Sequence, residues 1–155
     1  MILGIDPGLE NTGYGIIDEG KLVVCGVILT DNKKSSVDRL GKIYKDLEEI
    51  IKKFKVSEMA IETLFFAKNA KSALKVAEAI GVIKVCGQKN GLTAAEYTPL
   101  QVKQALVGYG RAEKEQVEIM VRNTLELDQS ISPSHAADAV AVALTHGFTM
   151  NYKEM

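Results

Sequence analysis

The chain opens on an apolar run, Ile2 to Ile5, that stops at Asp6-Pro7-Gly8. A short apolar run closed by Pro-Gly predicts a buried strand ending in a turn. Loose alternation over Thr12 to Ile17 predicts a second strand, Asp18-Glu19-Gly20 a turn, and Leu22 to Thr30 a third strand. Connections this short favour an antiparallel meander. The period then changes. Leu40, Ile43, Tyr44, Leu47, Ile50, Ile51 and Phe54 recur at steps of three and four, which predicts a helix with lysines and acids on its other face. Met59 to Ile61 reads as a short buried strand that ends at Glu62. An alanine-rich helix follows from about Asn69 to Gln88, interrupted by Gly81, and Leu92 to Tyr97 reads as a fifth strand. A short helix from Pro99 to Val107, a glycine-flanked loop Gly108-Tyr109-Gly110-Arg111 and a helix from Lys114 to Leu127 come next. The last helix starts with Ser132 as N-cap and Pro133 as first helical residue, and ends near His146-Gly147.

Three antiparallel strands followed by strands alternating with helices describe an α/β fold. It has a mixed five-stranded sheet flanked by helices, the element order of the ribonuclease-H-like fold. The 155 residues contain no repeat and no linker, so a single domain over 1–150 with a short tail at 151–155 is expected. With 46% hydrophobic and 25% charged residues, the composition excludes a disordered chain. No run approaches the roughly 20 apolar residues of a membrane span, and the N-terminus lacks the basic region and cleavage site of a secretory signal. Cys25 and Cys86 lie in apolar runs without ligand spacing, which predicts buried, reduced thiols and a cytoplasmic location.

Four residues carry candidate chemistry. Taken alone, Asp6 starts a turn, Glu62 is a charge at a strand end, Asp138 complements a helix dipole, and His135 sits on a surface. Together they mean more. The ends of the first and fourth strands can lie side by side in a central mixed sheet. His135 and Asp138, three apart, share one face of the helix that crosses that edge. Three carboxylates and an imidazole at one point repel one another unless a cation is present. Oxygen-rich sites favour Mg²⁺ or Mn²⁺, and a pair of such ions is the usual device for in-line phosphodiester hydrolysis.

These residues fall in stretches that resemble the RuvC-type Holliday junction resolvases nearly end to end: GIDPGLENTGYGII at 4–17, AIETLFFAKNAKSALKVAEAIGVI at 60–83, QVKQALVGYGRAEKEQV at 101–117 and SHAADAVAVALTH at 134–146. The resemblance implies a structure-specific endonuclease of recombination and repair. It would cut four-way DNA junctions by paired symmetric nicks, with Mg²⁺ as cofactor, as a homodimer coupled to the RuvA–RuvB branch-migration complex. It places catalysis and metal binding on Asp6, Glu62, His135 and Asp138, with two ions per site, and suggests a weak cleavage preference near a T-T step. Many family members carry Asp where this chain has His135, and others carry His. The resemblance also assigns DNA contacts to Phe65, three residues after Glu62, and to Lys103 and Lys114. An exposed Phe65 would stack on an unpaired base, while Phe66 would pack inside.

Charge changes the picture once it is followed along the chain. The total is 19 basic against 20 acidic residues, net −1, which by itself speaks against a nucleic-acid protein. From Thr63 to Lys114, however, eight basic residues face three acids. Asn69, at a helix start, is a further candidate phosphate ligand, and Arg111 in the glycine-flanked loop a candidate DNA clamp. The stripe Ala70, Ala73, Leu74, Ala77, Ile80 and Gly81 suits either packing on the sheet or the two-fold interface that two like nicks require. Three other readings compete. A nuclease of the same fold could act on RNA or another branched DNA, and a non-catalytic module could bind junctions without cutting them. A phosphate-loop protein of the actin and sugar-kinase type would need a second domain for which 155 residues leave no room.

Overall fold

The computed structural model describes residues 1–63 and 69–154, with side chains through 151. Five strands, β1 (Ile2–Asp6), β2 (Asn11–Asp18), β3 (Lys21–Leu29), β4 (Glu58–Glu62) and β5 (Ala94–Tyr97), form one sheet in the order β3-β2-β1-β4-β5. The first three are antiparallel neighbours, and β4 runs parallel to both β1 and β5. Five helices complete the described fold: α1 (Ser36–Phe54), α2 (Ala70–Lys89), α3 (Pro99–Val107), α4 (Lys114–Thr124) and α5 (Ser134–Glu154). The expected α/β architecture, mixed five-stranded sheet and element order are therefore present.

Strand periodicity decides which residue faces which helix layer. Leu3, Ile5, Ile16, Met59 and Ile61 point to one side and build a core with Ile43, Leu47 and Ile51 of α1 and Ala79, Ile83 and Cys86 of α2. Ile17, Ala60 and Ala95 lie in a second core with Val102 and Leu106 of α3, Val121 of α4 and the run Val140–Leu144 of α5. Asp6 and Glu62 share the parity of Ala60 and Gly4, so they sit on the α5 face. In β1 and β4 this makes them the last residues at adjacent carboxyl ends, where ligands of open α/β sheets bind.

α5 comes unusually close to the sheet. A methyl group added to Gly4 would overlap the Ala139 carbonyl oxygen and stand 2.5 Å from the Ala143 amide nitrogen; one on Gly13 would overlap the His135 carbonyl. The helix answers with its own small residues, as Ala136, Ala137, Ala139, Ala141 and Ala143 are all buried. Glycine on the strands and alanine on the helix let the two backbones touch.

Several boundaries depart from expectation. α5 does not end at His146-Gly147 but continues to Glu154, so the expected tail at 151–155 is helix through 154. Gly147 does not end the helix, and a Cβ added there would stand 3.4 Å from Ile2 Cδ1 and 3.9 Å from Ile17 Cδ1. The start of α5 also shifts by one residue: the Pro133 carbonyl, not that of Ser132, accepts the first helical bonds, from Ala136 and Ala137. α4 stops at Thr124, where Glu126 turns to positive φ, and β5 begins at Ala94. α2 runs through Gly81 without the expected interruption. Cys86 is buried as expected; Cys25, on the edge strand β3, is half-buried.

Gly4→Ala forces whole backbones apart, because the atoms it meets cannot rotate away. Overpacking of this kind costs about 3 kcal/mol, a fall of about 10 °C in Tm for a domain of this size. Gly41→Ala, on an open face of α1, is expected to hold or raise Tm in the same thermal melts.

Candidate active site

Asp6, Glu62, His135 and Asp138 are delivered to one place by three elements. β1 and β4 pair in parallel through Ile5 and Ile61, which sets Asp6 beside Glu62 at the sheet edge. The first turns of α5 cross that edge, since Gly13 of β2 lies against the His135 carbonyl. His135 Nδ1 stands 3.0 Å from Asp6 Oδ2. Asp6 is 19% exposed and His135 45%, so the pair has a dry side and a wet side. An ionised carboxylate only accepts, so Nδ1 carries the hydrogen and Nε2 is the nitrogen left for metal, water or phosphate.

The electrostatics report the same convergence. Burial raises the Asp6 carboxyl above its usual range, partly offset by the His135 hydrogen bond, and Asp138 raises it further. Glu62 is pushed up to about 8, first by burial and then by the charges of Asp6 and Asp138; Lys114 and Lys103 oppose the shift. Lys114, the first residue of α4, donates to Asp138 Oδ2 at 3.3 Å. The chain thus sets its own groups against its acids: the His135 ring hydrogen-bonds Asp6, the Lys114 ammonium pairs with Asp138, and burial with the neighbouring charges pushes Glu62 up. Among the described residues, no three His, Cys, Asp or Glu side chains stand in a ready ligating set. The donor set nonetheless fits a hard divalent cation. It is rich in carboxylate oxygen, includes one imidazole, and holds a desolvated Glu62 whose ionisation a bound positive charge would favour.

A cavity of about 220 Å³ opens beside the acids, lined by Glu62, Asp138, Lys103 and Lys114 over a floor that includes Val102, Val117 and Ala141. Both predicted DNA-facing lysines therefore lie at the acidic site. Lys114 has a closer role than its expected phosphate contact, as the partner of Asp138. Its place at the start of α4, packed against α5, depends on tertiary contacts that no local spacing reveals. Asn69 caps α2, its carboxamide oxygen accepting from Lys71 N–H at 2.9 Å, and so uses one of its polar atoms locally. Arg111 is exposed in the turn between α3 and α4. Phe65, Phe66 and Lys68 lie outside the described residues. On α2, Ala77 and Gly81 face outward and Leu74 is 65% exposed, so much of the small-residue stripe is not sheet packing.

A metal-stripped preparation has a predictable pH profile. Glu62 keeps its proton to about 8 in the folded chain but releases it near 4.5 when unfolded. The folded state binds more protons across that window, so this group's contribution to stability is greatest below it and is lost as pH rises through it. Thermal melts with a chelator are expected to show a decline from pH 5 to 8 that Glu62→Gln flattens, and a divalent cation at pH 8 is expected to raise the parent's Tm more than the variant's. Equal slopes would contradict the assignment.

Comparison with known proteins points to one family. Residues 2–146 match the family model described as Crossover junction endodeoxyribonuclease RuvC. A protein of that name from Natranaerobius thermophilus is 46% identical over 150 residues, covering 94% of this chain and 93% of its own. The Fusobacterium nucleatum protein of the same name is 46% identical over 149 residues, covering 94% and 78%. Among solved structures, Thermus thermophilus RuvC in complex with Holliday junction substrate superposes with a TM-score of 0.92 at 37% identity, covering 98% of this chain and 95% of that one. The yeast mitochondrial Holliday junction resolvase Ydc2 shares the fold, with a TM-score of 0.65 at 15% identity. On the match from residue 2 to 146 and the identity across nearly its whole length, the chain belongs to the RuvC family of crossover junction endodeoxyribonucleases.

Proposed function

We propose that this protein is a Holliday junction resolvase: a metal-dependent endonuclease that cuts two strands of a four-way DNA junction at symmetric positions. The observation that carries the reading is the meeting of Asp6, Glu62, His135 and Asp138 at the carboxyl ends of β1 and β4, in a chain that superposes on a relative solved with Holliday junction substrate. The reaction is hydrolysis. A water oxygen bonds to phosphorus, the bond from phosphorus to the 3′-oxygen breaks, and a proton passes to that oxygen. Two Mg²⁺ ions, or Mn²⁺ in their place, held by Asp6, Glu62, Asp138 and Nε2 of His135, supply charge neutralisation and a lowered water pKa when bound.

The chain's own groups do the rest. Asp6 orients His135 through Nδ1. Glu62 and Asp138 draw positive charge to the buried edge, and Lys103 and Lys114 face an entering phosphate across the cavity. Arg111 and Asn69 are further candidate phosphate contacts, and Phe65, outside the described residues, is the DNA contact that the family resemblance implies. The exposed face of α2, with Leu74 and Val85 at 65% and 53% exposure, is the surface on which a second copy docks, so that each protomer nicks one strand. Coupling to the RuvA–RuvB complex in the cytoplasm is part of the same reading.

A mobile synthetic four-way junction incubated with Mg²⁺ is expected to yield paired symmetric nicks, and none with chelator. His135→Ala is expected to slow single-turnover cleavage about 100-fold with junction affinity unchanged, while His135→Asp retains activity. Preference for an RNA or a different branched DNA, or parental cleavage by His135→Ala, would overturn the assignment.

A further inference from the structure

His146 closes the last matching stretch of the chain, yet it takes no part in the chemistry above. It lies eight residues beyond Asp138, about 12 Å along the helix at 1.5 Å per residue. It is also 7% exposed. Both ring nitrogens are engaged: Nδ1 lies 2.8 Å from the Tyr97 hydroxyl, and Nε2 lies 2.9 Å from Glu58 Oε2. The Tyr97 and His146 rings meet edge-on, with centroids 5.8 Å apart.

The two partners are placed tellingly. Glu58 is the first residue of β4 and Glu62 the last, both on the α5 face. Tyr97 is the last residue of β5, paired in register with Glu62, and its carbonyl accepts from Thr63 N–H at 2.8 Å, directly after Glu62. One imidazole on α5 therefore grips the strand that carries Glu62 at its start and the neighbouring strand at the level of Glu62. This grip is needed because the glycine contacts do not reach so far. Gly4, Gly13 and Gly15 seat α5 on β1 and β2, which fixes His135 against Asp6. The contacts of α5 towards β4 and β5 are mostly apolar, through residues such as Ala60 and Ala95. Hydrogen bonds to a buried ring add a directional constraint on that side that the apolar contacts alone do not supply.

We infer that Glu58, His146 and Tyr97 form a clamp of positioning residues that sets where Glu62 stands relative to His135 and Asp138. The inference rests on the nuclease reading for its consequence and on the two hydrogen bonds for its existence. A buried histidine that only fills space would affect stability alone. A clamp would also affect how well the four groups share a cation.

Tyr97→Phe tests this, because it removes one hydroxyl and keeps the ring and its packing. Three quantities are measured on parent and variant: Mn²⁺ affinity by calorimetry, single-turnover junction cleavage at saturating Mn²⁺, and Tm. The clamp predicts about fivefold weaker Mn²⁺ binding and about tenfold slower cleavage, as small misplacements of reacting groups produce, with junction affinity within about twofold. His146→Gln, which keeps a donor towards Glu58, is expected to lose activity similarly, and the double variant to be no worse than the poorer single. Unchanged Mn²⁺ affinity and cleavage in Tyr97→Phe, whatever its Tm, would overturn the clamp, as would additive losses in the double variant. If the parent binds Mn²⁺ but cuts no junction, the nuclease reading fails, while the Mn²⁺ comparison still decides the clamp.

Discussion

The site depends on how closely one helix can approach one pair of strands. α5 rests on β1 and β2 at positions where the strands offer glycine and the helix offers alanine. Interiors are packed at crystal-like density, so a single added methyl at such a contact has nowhere to go. The short distance is what lets His135 reach Asp6 at 3.0 Å. It also brings Asp138 near enough to raise both Asp6 and Glu62. A helix held at the spacing that larger side chains demand would take His135 away from Asp6 and weaken the influence of Asp138 on Asp6 and Glu62.

Bringing acids together has a cost, and the chain meets it locally. Desolvation and mutual repulsion both disfavour charge. His135 hydrogen-bonds one carboxylate, Lys114 pairs with another, and burial with the neighbouring charges pushes Glu62 up to about 8. Lys114 lies where an entering phosphate would compete with Asp138 for it. A net charge of −1 over the chain conceals this arrangement, in which an acidic centre is bordered by Lys103 and Lys114 and continued by a basic segment.

Much of this was legible before any coordinates. Apolar runs, periodicity and capping signals located the five strands and five helices of the described residues, and the four cluster residues were singled out by their places at strand ends and on one helical face. Three kinds of feature were not legible. Element ends are one: α5 runs on through Gly147, although glycine commonly ends a helix. The pairing of Lys114 with Asp138 depends on the packing of α4 against α5. The tie from His146 to Glu58 and Tyr97 spans 88 and 49 residues of sequence, beyond the reach of any local pattern.

The central claim is that the spacing between α5 and the sheet creates the cation-sharing site. Gly13 tests it most directly, because a methyl there meets the backbone carbonyl of His135 itself. The decisive measurement is single-turnover junction cleavage by Gly13→Ala at saturating Mg²⁺, normalised to folded protein and compared with Gly41→Ala. The account predicts a loss of about 100-fold for Gly13→Ala, the scale of a displacement of about 1 Å, and no loss for Gly41→Ala. Parental cleavage by folded Gly13→Ala would contradict it.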